Sequence, residues 1–105
     1  MKLILSTIPQ KDAAQMARTL VSERLVACVN IVPAVQSIYT WDGELCDETE
    51  SLMIMKTVDT RVSPLMARIR ELHAYDVPEI VSLDIDENAS NPDYVKWVMA
   101  SVGKR

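Results

Sequence analysis

The chain is poor in the residues that build several common kinds of site. Its 105 residues include two glycines, two cysteines, one histidine and no phenylalanine. Phosphate-binding loops need closely spaced glycines, and neither a P-loop nor a dinucleotide-binding fingerprint occurs in the sequence. The two cysteines share no Cys-x-x-Cys motif, which in a cytosolic protein favours free thiols over a disulfide.

Long hydrophobic runs and an excess of positive charge are also missing. The apolar run at residues 1–8 is too short for a secretory signal or a membrane span, so we expect a soluble, cytoplasmic protein. The net charge of −4 argues against nucleic acid as a partner. The length predicts one domain over residues 1–105, with a core of modest size.

Residues 28–58 are the most informative stretch and predict one long β-hairpin. Asp42 and Gly43 stand between two strand-like runs, and Asp-Gly is the strongest short signal for a type I′ turn. We expect this turn to fix the pairing of the two arms. The expected pairs are Trp41 with Glu44, Tyr39 with Cys46, and Val35 with Glu50.

The arms of this hairpin are too long for a small domain. Each has about 14 residues against the usual ~5–6, and spans roughly 45 Å, whereas a compact domain of this size is about 35 Å across. The hairpin must therefore bend, most simply at Pro33, or project beyond its own domain. Residues 52–55 are apolar on both faces, so both faces need cover. We expect a partner subunit; a shorter hairpin with frayed ends is the alternative.

The remaining segments predict three helices and two further strands. Strands are expected at residues 2–7 and 79–85, and helices at 10–24 and from an N-cap at Asp59-Thr60 to Leu72. Asn91 is expected to cap the last helix, with Pro92 at its first position.

The predicted order β-α-β-β-α-β-α begins with the split βαβ pattern of a ferredoxin-like α+β domain. Right-handed crossovers place the first two helices on one face of an antiparallel sheet. Either the last helix or neighbouring chains must cover the opposite face.

Five stretches form a collinear pattern over nearly the whole chain: residues 25–33, 37–43, 52–57, 73–80 and 93–97. This pattern closely resembles the CutA family. The resemblance implies a ferredoxin-like fold with a long β2–β3 hairpin, a PII-like homotrimer, and a role in tolerance of divalent cations, especially copper.

The chain departs from the metal-binding members of that family at several places. Those members carry a Cys in the first strand and a His-His pair before the Pro-Tyr segment, where this chain has Ser6 and Leu72-His73. Three other substitutions are Ala74 for the usual Pro, Asp76 for the usual Glu, and Ala34 for the usual Gly.

His73, the sole histidine, is the candidate metal ligand. Imidazole suits copper, and a trimer could collect three copies of one ligand. The alternative is that His73 follows the end of a helix, where the dipole favours a positive imidazole. The acidic residues around Cys46 (Glu44, Asp47, Glu48 and Glu50) are interpreted as a solvated arm that attracts cations weakly.

Tyr39, Lys56, Tyr75 and Glu79 are polar groups within the family-like stretches. One interpretation is that they line a cleft between subunits that holds a small anion or metabolite. The other is that Lys56 and Glu79 form an intersubunit ion pair, with the tyrosine hydroxyls bonded to the backbone.

No nucleophile–base pair is evident in the sequence, so we expect a binding protein rather than an enzyme. Two alternatives remain open. One is an enzyme for a small substrate, with Lys56, Tyr39 or His73 as acid–base groups. The other is a purely structural or protein-recruiting trimer.

Overall fold

The structure, a computed structural model, describes residues 1–103. Within that range it contains the predicted sequence of strands and helices, which confirms the ferredoxin-like α+β fold with an extra C-terminal helix. In chain order the elements are β1 (Lys2–Ile8), α1 (Ala13–Ser22), β2 (Cys28–Trp41), β3 (Glu44–Thr57), α2 (Val62–Leu72), β4 (Val81–Asp84) and α3 (Pro92–Ser101).

Of the two helix caps predicted from the sequence, one is present in the structure and the other is not. At α3 the Asn91 side chain accepts a hydrogen bond from the Asp93 N–H at 3.0 Å, as predicted. The predicted cap at Asp59-Thr60 is wrong, because no side chain caps that helix start. The chain enters α2 through a 3-10 turn, Asp59–Arg61, in which the Arg61 N–H donates to the Val58 carbonyl at 3.0 Å. The backbone itself therefore satisfies one of the donors that a cap would serve.

The four strands form one antiparallel sheet in the order β2-β3-β1-β4. The hairpin turns at Asp42 and Gly43, which both have positive φ (50° and 79°), and all three predicted pairs form. A register shift between Val32 and Val35 confirms the irregularity expected at Pro33. There the Pro33 carbonyl accepts hydrogen bonds from the Gln10 amide at 2.9 Å and the Ser51 hydroxyl at 2.8 Å.

One face of the sheet carries the main hydrophobic core. Alternate residues of β1 and β3 point to this face and pack against α1 and α2, because side chains alternate between the faces of a strand. Fully burying each large apolar side chain contributes about 1.5–3 kcal/mol. The core includes Ile4, Ile8, Met53 and Met55 from the strands and Leu20, Leu65 and Ile69 from the helices.

The opposite face of the sheet, here called the open face, is apolar but only half-covered. Helix α3 covers one end, where Val98 and Val102 pack against Ala27. The other residues of the open face are those that pair with one another across the strands and are partly or fully exposed. Its apolar residues are Leu3, Leu5, Val32, Leu52, Ile54, Val81 and Leu83.

The long hairpin sets the shape of the molecule, which measures 45 × 28 × 22 Å. Both of its strands have 14 residues, as predicted. Beyond the bulge the hairpin keeps exposed apolar side chains, among them Ile38, Trp41 and Leu45. These side chains are thus left exposed by the rest of the described chain.

Candidate functional site

A cleft of about 660 Å³ lies between the far half of the hairpin and the segment that follows α2. This volume lies within the range of small-molecule sites. It contains three of the sequence-predicted residues: Tyr39, Tyr75 and Glu79. The full lining comprises Thr7, Ser37, Ile38, Tyr39, Trp41, Glu48, Glu50, Tyr75, Asp76, Val77 and Glu79.

A second cleft, of about 670 Å³, lies at the other end of the sheet beside Met1, Val58 and Val102. None of the sequence-predicted site residues lines it. The first cleft is therefore the candidate site, although the two are of similar size.

Glu50 is the most unusual group in the candidate cleft. It lies on β3 opposite Val35, just past the bulge, and only 5% of the residue is exposed. The Tyr75 hydroxyl donates to its Oε2 at 2.9 Å. Glu50 is therefore the exception in an acidic stretch that was interpreted as mostly a solvated arm, because it is almost fully buried and its carboxylate accepts from Tyr75.

His73 supports the wall of the cleft. It is 9% exposed, its ring lies 4.7 Å from that of Tyr75, and its own N–H caps α2 by donating to the Ile69 carbonyl. Its Nδ1 accepts a hydrogen bond from the Tyr75 N–H at 3.1 Å, while Nε2 lies 2.9 Å from the Thr7 carbonyl and donates to it. The predicted place of His73 at the end of α2 is confirmed. Both nitrogens are bonded to backbone groups.

The two tyrosines are held in their protonated form. Burial, followed by a hydrogen bond with Glu48, raises the pKa of Tyr39 to about 12. Burial and then the bond to Glu50 raise the pKa of Tyr75 further still above its usual value. Both hydroxyls are neutral donors at physiological pH, which lies below even the ordinary tyrosine pKa of about 10.

Lys56 does not join the cleft within one chain. It lies six residues beyond Glu50 on β3, roughly 20 Å along the strand, on the open face. There it pairs opposite Leu3 and Cys28, and its amine donates to the Asn30 side chain. Its convergence with the two tyrosines was expected in a cleft between subunits, and it stays a prediction that one chain does not test. Among residues 1–103, the lining of the cleft within one chain contains no Lys, Arg or His, and the expected cleft between subunits with a small anion or metabolite stays a prediction.

Several cleft residues were not singled out from the sequence, namely Glu50, Trp41 and Asp76. The pairing register of the hairpin predicts part of this arrangement. It predicted the Val35–Glu50 pair and placed Trp41 beside the turn. The distance between these residues and the segment after α2 could not be predicted from the sequence. Burial of Glu50 depends on that long-range approach.

Comparison with known families resolves the identity of the fold. The family model described as "CutA1 divalent ion tolerance protein" matches residues 2–101. The chain belongs to this family. The match confirms the resemblance that the five sequence stretches carry.

Individual CutA relatives agree with this assignment. The divalent-cation tolerance protein CutA of Thermus thermophilus is 43% identical over 103 residues, 97% of this chain and 98% of that protein. The CutA homologue of Xenopus laevis is 45% identical over 93 residues, 88% of this chain, but the match spans only 60% of that longer protein. A solved structure described as the PII-like protein CutA from Nostoc, in apo form, superposes with a TM-score of 0.93 at 41% identity, covering 98% of both chains.

The departures from the metal-binding CutA pattern have a structural role here. Ser6, at the place of the family's Cys, is fully buried and its hydroxyl donates to the Glu79 carbonyl at 2.6 Å. This bond ties the cleft segment to β1, and the ladder of β4 begins only at Val81 rather than at the predicted residue 79. Cys28 and Cys46 are free thiols, as expected. Among residues 1–103 no group of three or more His, Cys, Asp or Glu side chains could hold a metal ion. One chain therefore does not fit a tight copper centre.

Proposed function

We propose that the protein is a cytoplasmic homotrimer of the CutA type whose clefts, beside the contacts between subunits, bind a small ligand and signal its presence. The observation that carries the proposal is the open face, which is apolar and which the described chain leaves half-exposed. Residues 1–105 serve as one domain that completes its fold by association.

The open face has the character of an interface. Its side chains form continuous cross-strand rows, such as Val81–Leu5–Ile54, running from β4 to β3. Val81 and Leu83 are 45% and 42% exposed. Monomeric proteins rarely expose contiguous apolar patches of this kind. The family resemblance implies a PII-like architecture, from which we infer an assembly of three chains.

The position of the cleft links ligand binding to assembly. Its walls come from the projecting hairpin and from the segment after α2, the parts of the chain that a neighbouring copy would contact. A ligand in the cleft shifts the equilibrium between single chains and trimer only if it binds the trimer more tightly than the single chain. Such a difference in affinity is the basis of a signalling role.

Hydrogen exchange on diluted samples tests the assembly. The edge strands β2 and β4 have one side without a neighbouring strand. In a trimer we expect their amides to be protected at micromolar concentration and to lose protection on dilution, because association excludes water from them. The inner strand β1 should change little and is the internal control. Edge amides that exchange at one rate at all concentrations would contradict the proposal.

Copper is the cation that the family resemblance implies, and His73 is its predicted ligand. We expect copper titrations followed by calorimetry to give the same isotherm for the native chain and for His73→Ala, because both ring nitrogens already bond backbone groups. The variant's circular dichroism spectrum must first show a folded protein, since two backbone partners lose their bonds at a cost of about 1–3 kcal/mol each. A tight site that disappears in His73→Ala would restore His73 as a metal ligand.

The structure favours binding over catalysis at the cleft. Of the three acid–base candidates, Lys56 lies on the open face and the His73 nitrogens are both bonded. The pKa of Tyr39, raised to about 12, is far from the operating pH that suits a general acid or base. The CutA relatives are named tolerance proteins rather than enzymes.

In the part of the chain that the structure describes, no helix is long and apolar enough to cross a bilayer.

A further inference from the structure

We infer that the contacts at Pro33 hold the far half of the hairpin, residues 35–50, in one of two pairing registers, and that this choice decides which side chains line the candidate cleft. Ser51 and Gln10, which donate to the Pro33 carbonyl, are the positioning residues. The inference rests on the proposed function, because it concerns the control of the same cleft.

The two halves of the hairpin pair in registers that differ by one residue. The near half, in which residues 28–32 pair with residues 52–56, follows one register, and the far half follows the other. Between the two halves Ser51 alone stands opposite two residues, Pro33 and Ala34, which is the arrangement of a β-bulge. The pairs that flank the bulge are Val32 with Leu52 and Val35 with Glu50.

The bulge changes which residues of β2 face the cleft. Residues directly opposite one another on paired strands share a face, and side chains alternate along each strand. In the near half the even-numbered residues of β2 lie on the open face with Ile54, whereas beyond the bulge the odd-numbered residues lie on that side. The β2 residues that line the cleft are accordingly Ser37, Tyr39 and Trp41, with Ile38 as the one even-numbered member.

A second register is compatible with the same sequence. If the register of the near half continued without a bulge, Thr40 would lie opposite Glu44 and residues 41–43 would form the loop. Three-residue hairpin loops are common and place a residue in the left-handed region. Gly43 already has a positive φ of 79° and can supply that residue. The turn alone therefore does not select the bulged register.

The second register would rebuild one wall of the cleft. A slip of one residue turns every side chain of the slipped segment to the other face of the strand. Tyr39 would leave the cleft side and lose its hydrogen bond with Glu48. Ile38 would take its place opposite Cys46, which Tyr39 occupies in the observed register.

The contacts at Pro33 favour the bulged register. Its carbonyl accepts from the Ser51 hydroxyl at 2.8 Å and from the Gln10 side-chain amide at 2.9 Å, so both lone pairs are used. Ser51 is 2% exposed, and a displaced bulge would leave its hydroxyl without this partner in a dry site. Gln10 lies in the 3-10 turn after β1, so it ties the bulge to a segment outside the hairpin. These contacts are lost if the bulge moves.

The native Cys46 permits a direct measurement of the register, because it is a free thiol. In a Cys28→Ser background, Tyr39→Cys reports the observed register and Ile38→Cys reports the slipped one. Only directly opposed cysteines have the short Cβ separation that a disulfide needs. Equilibration with a glutathione buffer gives the effective concentration of each thiol pair. We expect this concentration to be at least about tenfold higher for Tyr39→Cys than for Ile38→Cys.

Two variants weaken the contacts at Pro33. Ser51→Ala removes the hydroxyl donor, and Gln10→Glu removes the amide donor while keeping the size of the side chain. We expect each to raise the effective concentration of the Ile38→Cys pair about two- to tenfold, the effect of one neutral hydrogen bond on an equilibrium. Because Gln10 is exposed, Gln10→Glu retains the fold even if Ser51→Ala does not.

Two matched controls separate the register from general stability. Thr57→Val removes another buried hydroxyl of β3, which donates to the Leu25 carbonyl at 2.7 Å at the end of the strand away from the bulge. Gln15→Glu makes the same charge change as Gln10→Glu at an exposed position of α1. We expect neither control to change the effective concentration of the Ile38→Cys pair by more than about twofold.

Three results would overturn the inference. The first is that neither Ser51→Ala nor Gln10→Glu strengthens the Ile38→Cys pair. The second is that Thr57→Val strengthens it equally. The third is that, in the chain with Pro33 contacts intact, Ile38→Cys pairs with Cys46 as strongly as Tyr39→Cys does.

The register is measured separately from the proposed trimer. Mass measurement without reductant distinguishes a disulfide within one chain from one between chains. Sedimentation of the same samples reports the assembly state. Because the bulge, its contacts and Cys46 all belong to one chain, the register can be determined whether or not the chain assembles.

Discussion

Replacing Ile54 by lysine is expected to convert the assembled protein into folded monomers. Ile54 lies at the middle of the open face, opposite Leu5 on β1 and Asn30 on β2. In the single chain it is partly exposed, so a lysine there can extend its amine into water and the fold is retained. In a complex the same amine would be buried against apolar side chains without a partner, at a cost of several kcal/mol.

Sedimentation equilibrium of Ile54→Lys at micromolar concentration measures this effect. A loss of several kcal/mol corresponds to at least about a thousandfold weaker association. Val21→Lys is the matched control, since Val21 is 42% exposed and lies on α1, on the other side of the sheet. We expect this control to assemble like the native chain. If Ile54→Lys sediments like the native assembly, the open face is not the interface.

Replacing Leu20 by alanine is expected to destabilise the fold by about 2–5 kcal/mol. Leu20 is fully buried in the core between α1 and the sheet, so truncation leaves a cavity as well as losing apolar contact. Its neighbour Val21 provides the control. It is 42% exposed, and Val21→Ala is expected to change the free energy of unfolding by only about 0.5 kcal/mol.

Urea unfolding of both variants at one fixed protein concentration gives these free energies, because association makes apparent stability depend on concentration. The Leu20→Ala midpoint should fall well below that of the native chain while Val21→Ala stays close to it. Equal midpoints for the two variants would contradict the assignment of α1 to the core-facing layer.

The features that could be predicted from the sequence are those whose geometry is determined by a short stretch of residues. Asp42-Gly43 fixed the turn, and the period of two along each strand then fixed every pair of the far hairpin, including Val35 with Glu50. Asn91-Pro92-Asp93 fixed the start of α3 in the same way. These features depend on residues that are adjacent along the chain or coupled by one turn.

The candidate site was only partly predictable because its geometry depends on approach between distant segments. Tyr39, Tyr75 and Glu79 were identified through the family-like motifs, and the structure brings them together. Lys56 also lies in a family-like stretch, but it is six residues from Glu50 along β3, a distance of roughly 20 Å. The enclosure of Glu50 by Tyr75, 25 residues away along the chain, has no local signature.

The misassigned helix cap has a related cause. Asp59-Thr60 has the composition of an N-cap, but a 3-10 turn precedes α2 and its own backbone bonds replace the cap. The residue types correctly predicted that a helix starts in this region. The conformation of the backbone determines which atoms accept hydrogen bonds from the first N–H groups of that helix.

The proposed function depends on the apolar open face being covered by other copies of the same chain. Sedimentation equilibrium of the native protein at micromolar concentration measures the mass of the assembly. We expect a single species of three times the chain mass of 11.8 kDa. A well-folded species at 11.8 kDa, with circular dichroism of an α+β protein, would contradict it.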